Sequence, residues 1–195
     1  MNNKKATTDF EILPLISQRW SPRAFDNKTL DYNDLMSIFE AGRWAASAMN
    51  EQPWRFVYAN KENKELFDKI FDSLAEGNKI WVKNAPVLIA AFFRTKYSTT
   101  SKDNKNAKFD TGLAIQNMTL QALSKNIYLH PIAGFDFAIL KSNLEISDNF
   151  EPALILAAGY LGNPDILPED LKTRELAIRI RKNLNELVFS STAGF

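Results

Sequence analysis

The sequence predicts an α+β fold built as one domain over residues 1–195. Helical patterns, in which apolar residues recur every three or four positions, alternate with short, continuously apolar segments typical of buried strands. Hydrophobic residues make up 45% of the chain, which is enough for one substantial core. The chain has no internal repeat and no interdomain linker, so helices and strands interleaved around a single core are the expected architecture.

The first part of the chain is predicted to contain a tail and two helices. Residues 1–9 are polar and are expected to form a flexible tail. Apolar positions at helical spacing over residues 10–17 indicate a short helix that ends close to Arg19. The repeat over residues 32–46 predicts a longer helix, and Asp31 is expected to cap its N-terminus.

Two strands and a charged helix are predicted next. Pro53 restricts the residue before it, so Gln52 is expected to be extended and to lead into a strand over residues 54–59. Residues 61–74 have the charge pattern of an amphipathic surface helix. The apolar segment 85–93 is too short to span a membrane, which takes about 20 residues. It predicts a strand that is buried on both faces.

A polar excursion precedes the longest predicted helix. Residues 94–108 are rich in Ser, Thr, Asn and Lys, and we expect a mobile surface segment that is a candidate lid. Residues 111–126 predict a long core helix with Asp110 as its cap. Residues 130–136, HPIAGFD, are expected to be a loop or the end of a strand, and residues 152–162 predict a second fully apolar strand.

The C-terminal pattern leaves two interpretations open. Leu176, Ile180, Leu184 and Leu187 fit one face of a helix. Residues 178–181, however, alternate with a period of two, as in an extended chain.

The composition excludes several classes of protein. The chain has 24 Lys and Arg against 23 Asp and Glu, and it has no cysteine. The balanced charge gives no reason to expect nucleic acid or a membrane surface as a partner. The lack of cysteine excludes disulfides, thiolate nucleophiles and Cys-bound metals. Glu11 and Pro14 interrupt the only apolar stretch near the N-terminus, so we expect no signal peptide and a cytoplasmic protein.

Metal and hydrolase chemistry are not expected either. His130 is the only histidine, and no repeated His or carboxylate spacing surrounds it, so no metal site is predicted. The chain has no GxSxG element, and a structural or solvated His130 is expected rather than a catalytic one. The seven glycines form no Rossmann or P-loop pattern. Side chains must therefore hold any bound phosphate.

Two basic segments are candidates for such a phosphate site. Arg19, Ser21 and Arg23 place two guanidinium groups and a hydroxyl close together, and the alternative is a solvated basic turn. Arg179 and Arg181 lie on one side of an extended chain. In a helix they would diverge by about 200° and form an ordinary charged face.

A third candidate is a polar turn that leads into the first strand. Ser47, Asn50 and Gln52 present a hydroxyl and two amides before Pro53. Amides both donate and accept hydrogen bonds, which suits the edge of a flat heterocycle such as a flavin pyrimidine ring. The alternative is an ordinary solvent-facing turn.

Together these segments resemble the FMN-dependent nitroreductase family. Residues 19–25, RWSPRAF, are similar to the family's Arg-x-Ser-x-Arg-x-Phe element, which binds the flavin phosphate and ribityl chain. Residues 46–54 resemble its Pro-Ser-x-x-Asn-x-Gln-Pro-Trp element, and residues 131–136 resemble its Pro-Ile-x-Gly-Phe-Asp element beside the reactive flavin nitrogen. A basic pair near the C-terminus completes phosphate binding in the family. The resemblance implies cofactor-binding roles for Arg19, Trp20, Ser21, Arg23, Ala46, Ser47, Asn50, Gln52, Pro131, Ile132, Ala133, Gly134, Arg179 and Arg181.

The resemblance also implies a fold and an activity. The fold would be nitroreductase-like, with a mostly antiparallel central sheet flanked by helices. Bound FMN would take a hydride from NADH or NADPH and reduce a nitroaromatic, quinone or activated alkene in ping-pong turnover. Backbone N–H groups of residues 131–134 would stabilise the reduced ring, with Gly134 permitting close approach, so no catalytic side chain is expected.

A homodimer is implied as well, with active sites between the subunits and a C-terminal arm, residues 183–195, that reaches across. The resemblance favours the extended interpretation of the C-terminal pattern over the helical one. Two departures from the family pattern are Ala46, where Pro is common, and Ala133, where some members have Glu.

Two other functions fit part of this evidence. An FMN-binding storage, sensing or flavin-modifying module without reductase turnover would share every motif. A non-flavin interaction domain would use the arginines to recognise a phosphorylated or acidic partner.

Overall fold

A four-stranded antiparallel sheet lies at the centre of the fold. The computed structural model describes residues 4–192, so residues 1–3 of the predicted tail and 193–195 of the predicted arm lie outside the described part. The strands are Trp54–Asn60 (β1), Val87–Arg94 (β2), Tyr128–Ile132 (β3) and Phe150–Gly159 (β4). They pair in the order β1, β2, β4, β3, and every neighbouring pair is antiparallel. The predicted α+β class and the predicted apolar strands are confirmed.

Helices cover both faces of this sheet. Within residues 4–192 the α-helices are Pro14–Gln18 (α1), Tyr32–Arg43 (α2), Lys64–Phe71 (α3), Glu76–Val82 (α4), Ala107–Ser124 (α5), Phe137–Asn143 (α6) and Glu169–Leu176 (α7). Short 3-10 turns occur at Ala48–Asn50, Pro164–Ile166 and Leu184–Glu186. The sequence pattern did not indicate α4 and α6, because helices of seven residues are too short to repeat an apolar stripe.

The central strands are buried because a layer of helices packs on each face. Leu88 of β2 belongs to a cluster that contains Trp81 of α4, whereas the next residue, Ile89, belongs to a cluster that contains Met118 of α5. Successive residues of one strand thus point into different cores, which explains why β2 is an unbroken apolar run. In the described part of the chain, no helix is long and apolar enough to cross a membrane.

The predicted cap of α2 is confirmed, but the predicted cap of α5 is wrong. Asp31 Oδ1 accepts hydrogen bonds from the backbone N–H groups of Asn33 and Asp34 at 2.8 and 3.1 Å. The helix α5 begins at Ala107 and not at Thr111, so Asp110 lies within its first turn. Ala107 is fully buried, and its packing extends the helix into a segment whose polar composition indicated a surface loop.

The C-terminal segment does not form the continuous helix that one of its two sequence patterns indicated. The helix α7 ends at Leu176, residues 177–183 are neither helix nor strand, and a 3-10 turn follows at Leu184–Glu186. Arg179 and Arg181 therefore lie outside any helix. The family resemblance also favours a non-helical form of this segment.

Candidate functional site

Three of the predicted phosphate-binding arginines form a cluster from distant parts of the sequence. Arg19 follows α1, whereas Arg179 and Arg181 follow α7. Burial lowers the pKa of Arg19, and the charge of Arg181 lowers it further. Burial also lowers the pKa of Arg179, with additional contributions from Arg19 and Arg181. Three guanidinium charges that repel one another, those of Arg19 and Arg179 partly buried and that of Arg181 exposed, make an attractive site for an anion, which would relieve the repulsion.

The rest of the basic loop, residues 19–25, lies beside this arginine cluster. Nη1 of Arg19 donates a hydrogen bond to the Ser21 hydroxyl at 3.4 Å. The Trp20 ring is buried and packs edge-to-face on Tyr128, with 6.2 Å between the ring centroids. The guanidinium carbon of Arg23 lies 6.0 Å from the centroid of the Trp81 ring. Trp20 thus anchors the loop, and the polar groups at positions 19, 21 and 23 remain partly exposed.

Glu175, which the sequence pattern did not single out, holds the basic loop against α7. Its carboxylate is 2% exposed. Both of its oxygens accept from the backbone N–H of Arg23 at 3.0 Å, and Oε1 also accepts from that of Ala24 at 3.1 Å. A carboxylate bonded to backbone N–H groups is among the stronger contacts available to a protein. It fixes the backbone of the basic loop next to the segment that carries the other two arginines.

The polar turn, residues 47–52, has an unusual backbone. Met49, Asn50 and Gln52 have φ values of 57°, 54° and 51°, in the left-handed region. The expectation that Gln52 is extended is therefore wrong. The Ser47 hydroxyl accepts a hydrogen bond from the Gln52 N–H at 3.1 Å and closes the turn, and this contact outweighs the local effect of Pro53. Left-handed backbone at residues other than glycine costs energy and occurs often at functional sites.

A buried carboxylate of the central helix fixes the polar turn in place. Asp110 is 3% exposed, and its Oδ2 accepts a hydrogen bond from the Ala48 N–H at 3.1 Å. Asp110 thus connects α5 to the turn and offsets part of the strain in its backbone. The sequence carries a signal for this residue, an acidic side chain beside an apolar helix, but that signal predicts a cap and not a contact with the polar turn.

The polar excursion, residues 94–108, is attached to the same turn. Glu51 accepts hydrogen bonds from the Ser98 N–H at 2.7 Å and from the Ser98 hydroxyl at 3.2 Å. Lys96 and Asp103 form an isolated antiparallel bridge within the excursion. The excursion therefore borders the polar turn, which is where a lid over that turn would have to lie.

The strand-end loop, residues 131–134, leaves β3 with exposed backbone. Ile132 is buried, whereas Ala133 and Gly134 are exposed. The Gly134 carbonyl accepts hydrogen bonds from the Ala75 N–H at 3.0 Å and from Asn78 Nδ2 at 2.9 Å. A Cβ at Gly134 would lie 2.6 Å from Asn78 Nδ2, so a side chain at this position would displace the Asn78 amide. Within the chain, the group that approaches Gly134 closely is thus the side-chain amide of Asn78.

One chain does not bring all of these segments together. The polar turn precedes β1 and the strand-end loop follows β3, and these strands are the opposite edges of the sheet. Both segments leave the same end of the sheet, since Trp54 pairs with Phe93 and Ile132 pairs with Ile155. Three interstrand spacings, about 14 Å, separate the two strands. The basic loop, by contrast, lies next to β3.

His130 makes the connection between β3 and the basic loop. Its Nδ1 lies 2.7 Å from the carbonyl oxygen of Pro22, which can only accept, so Nδ1 carries the hydrogen. Burial lowers its pKa to about 4, the Pro22 contact opposes this shift and the charge of Arg23 adds to it. The Trp81 ring lies 4.4 Å away, between centroids. A buried, neutral histidine that bonds to the backbone has a structural role, as the sequence predicted.

We expect the pH dependence of stability to report on His130. Its pKa is 6.5 in an unfolded chain and about 4 in the folded protein. The unfolded chain therefore binds the extra proton more readily, and stability that is complete above pH 6.5 is lost as the pH falls toward 4. The contribution is about 3 kcal/mol at most.

Urea denaturation of the wild type and of His130→Asn at several pH values would measure this contribution. The asparagine amide can still donate to Pro22 but does not titrate. The free energy of unfolding should fall less steeply below pH 6.5 in the variant. Parallel curves for the two proteins would contradict the assignment.

Comparisons with known proteins identify the family of the chain. A family model described as the nitroreductase family matches residues 16–160. A Streptococcus pyogenes protein that carries the provisional name NAD(P)H nitroreductase is 24% identical over 183 residues, which cover 77% of this chain and 90% of that protein.

Solved structures extend the similarity to nearly the whole fold. An oxidoreductase that contains FMN is 34% identical, with a TM-score of 0.89, over 97% of this chain and 96% of the other. A provisionally named nitroreductase of Exiguobacterium sibiricum, solved with FMN, is 18% identical, with a TM-score of 0.77, over 95% and 99% of the two chains. The family model covers well over half of the chain and includes the basic loop, the polar turn and the strand-end loop. The chain therefore belongs to the nitroreductase family.

Proposed function

We propose that this protein is an FMN-dependent oxidoreductase that transfers a hydride from NADH or NADPH to a nitroaromatic, quinone or activated alkene by ping-pong turnover. The observation that carries the proposal is the arginine cluster, which two segments about 160 positions apart build beside a serine hydroxyl. The presence of FMN in a structure 34% identical to this chain supports the choice of cofactor.

The side chains of the site fit the chemistry of FMN. A phosphate dianion needs several positively charged donors, and the arginine cluster supplies guanidinium groups that can bind two oxygens at once. Burial lowers the pKa of Arg19 and of Arg179, and repulsion from neighbouring arginines lowers both further, so a bound dianion would stabilise the cluster. The polar turn supplies amide and hydroxyl groups for a ring edge, and the strand-end loop supplies exposed backbone.

In this proposal each segment has a separate task. When bound, FMN supplies the redox chemistry, because its ring can accept a hydride from a nicotinamide and pass electrons to a second substrate. Arg19, Arg179 and Arg181 hold the phosphate, and Ser47 and Gln52 keep the polar turn in the shape that presents its amides. Backbone N–H groups of the strand-end loop stabilise negative charge on the ring. His130 is buried and neutral, and we assign it no proton transfer.

The proposal includes a homodimer, because the polar turn and the strand-end loop lie on opposite edges of one sheet. A second subunit would bring the turn of one chain to the loop of the other. The exposed face of α5 supports such an interface: Phe109 and Leu113 are 70% and 36% exposed, and Gly112 lies between them with open space beside it. Large apolar side chains grouped on a surface are typical of protein contacts.

The C-terminal arm and the sheet edge also support a dimer. Leu184, Leu187 and Val188 of the arm are exposed. Beside the edge strand β1 lies an apolar groove of about 340 Å³. It is lined by Met36, Phe39, Arg43, Trp54, Arg55, Phe56 and Tyr58. We propose that the arm of one subunit packs against the edge of its partner, which would cover both apolar surfaces.

Substituting Leu113 by lysine should separate the subunits. A charged side chain in the apolar face of α5 would be buried without a partner in the dimer but solvated in the monomer. We expect the dimer dissociation constant to rise at least about tenfold, and FMN affinity to fall with it. Analytical ultracentrifugation and FMN titration would measure both. Ile166→Lys, which introduces the same charge at another exposed apolar residue, is the matched control. A Leu113→Lys monomer that keeps full FMN affinity would contradict a shared site.

The test of the proposed function is the absorbance spectrum of the purified protein, recorded before and after anaerobic addition of NADH and of NADPH. A flavin spectrum that bleaches with either nucleotide is the expected result and identifies the hydride donor. A flavin spectrum that neither nucleotide bleaches would favour the storage or sensing module. A colourless protein that does not bind added FMN would overturn the proposal and favour an interaction domain.

A further inference from the structure

The N-terminal segment is attached to the arginine cluster by Lys4. Its carbonyl oxygen accepts a hydrogen bond from Arg179 Nη1 at 2.7 Å, and its ammonium group donates to the carbonyl oxygen of Ala177. The same ammonium lies 4.8 Å from the centroid of the Trp20 ring. Lys4 therefore contacts both of the segments that supply the arginines. It lies outside residues 16–160, which match the family model.

The neighbouring backbone contact fixes the direction of this segment. The Ala6 N–H donates to the Ser17 carbonyl at 2.8 Å, and Arg179 Nη1 donates to the same carbonyl at 3.2 Å. The chain from Lys4 to Ala6 thus runs across the C-terminal end of α1, just before Arg19. This position places a fourth cation at the edge of the arginine cluster.

The charges around Lys4 leave its ammonium available to an anion. Burial lowers the pKa of Lys4, the carboxylate of Glu175 opposes that effect, and Arg179 and Arg23 lower the pKa further. The Glu175 oxygens already accept the backbone N–H groups of the basic loop. Among residues 4–192 no carboxylate lies within 4.0 Å of the Lys4 ammonium. One of its three N–H donors is used by Ala177, and two remain.

We propose that Lys4 is a further ligand of the cofactor phosphate, so that the N-terminal segment forms part of the phosphate site. The inference rests on the proposed function, because it assumes that the arginine cluster holds FMN. It adds a residue that none of the four motifs contains. The competing explanation is a tether that only fixes the segment to the protein surface.

FMN and riboflavin distinguish a ligand from a tether. They share the ring and the ribityl chain, and they differ in the phosphate. Loss of a phosphate ligand weakens FMN binding and leaves riboflavin binding unchanged. The contact that holds Arg179 is made by the Lys4 backbone carbonyl, which a side-chain substitution retains. Loss of a tether that shapes the site through the Lys4 side chain weakens both to the same degree.

The experiment titrates apoprotein with FMN and with riboflavin and follows the quenching of flavin fluorescence. For Lys4→Gln we expect the Kd for FMN to rise about tenfold, the effect of one charge-assisted contact at a partly exposed site. The Kd for riboflavin should stay within about twofold of the wild-type value. Lys4→Arg, which keeps the charge, should restore most of the FMN affinity. Lys5→Gln removes a charge from the exposed neighbouring residue and is the matched control.

Each result decides between the explanations. Equal weakening of FMN and riboflavin binding by Lys4→Gln, or no change in either, would overturn the role of Lys4. If the wild type binds FMN in that case, the proposed function still stands. A wild type that binds neither flavin would overturn both proposals together.

Discussion

Replacing Glu175 by alanine should lower the free energy of unfolding by about 3 kcal/mol, because one buried and one partly buried backbone N–H group lose their acceptor. These are the N–H groups of Arg23 and Ala24, which bond to the carboxylate at 3.0 to 3.1 Å. The basic loop would no longer be fixed against α7. We therefore also expect FMN affinity to fall, since the basic loop would no longer be held in position next to the segment that carries the other two arginines. Urea denaturation of the apoprotein and FMN titration measure the two effects.

A matched control and a milder variant sharpen this test. Glu169→Ala removes an exposed carboxylate from the first turn of the same helix and should change stability by less than about 1 kcal/mol. Glu175→Gln keeps one acceptor oxygen and should lie between the wild type and Glu175→Ala. If the Glu175 and Glu169 variants had the same stability, the buried carboxylate would not hold the loop.

Substituting Arg19 by glutamine should raise the Kd for FMN about a hundredfold, because a partly buried guanidinium would no longer bind the phosphate. The apoprotein should be as stable as the wild type or slightly more stable. Burial and Arg181 both lower the pKa of Arg19, so the charge is unfavourable where it lies until an anion is bound. Stability and FMN affinity should therefore change in different directions, unlike the parallel losses expected for Glu175→Ala.

Isothermal titration of the Arg19 variant with FMN and thermal unfolding of its apoprotein measure these two quantities. Lys64→Gln, which removes one positive charge from the exposed surface of α3, controls for the change in net charge and should leave the Kd unchanged. An Arg19→Gln protein that binds FMN as tightly as the wild type would remove the arginine cluster from the proposed site.

The main elements of the fold could be predicted because their signals are local. The apolar runs of β2 and β4 and the repeat of α2 record burial directly in the sequence. The bounds of α5 could not be predicted, because Ala107 joins the helix through packing against the core, while its neighbours have a loop-like composition. The helix α6 is stabilised by contacts with β4, and α4 by burying Trp81 and Val82 in a core that it shares with the sheet. Both helices lack a pattern long enough to detect.

The candidate site, like the fold, was predictable where its signals are local and unpredictable where packing decides. The sequence by itself determined which side chains carry charge and amide groups: the arginines of the basic loop and the C-terminal pair, and the amides of the polar turn. Only the tertiary structure decided that the charges of Arg19 and Arg181 interact, and that Glu175 and Asp110 fix the loop and the turn from elsewhere in the chain. It also decided the left-handed backbone of Gln52. The physical reason is that residue types and short-range spacing are encoded locally. The partner of a buried carboxylate is chosen by packing between segments far apart in sequence, and no local pattern records that choice.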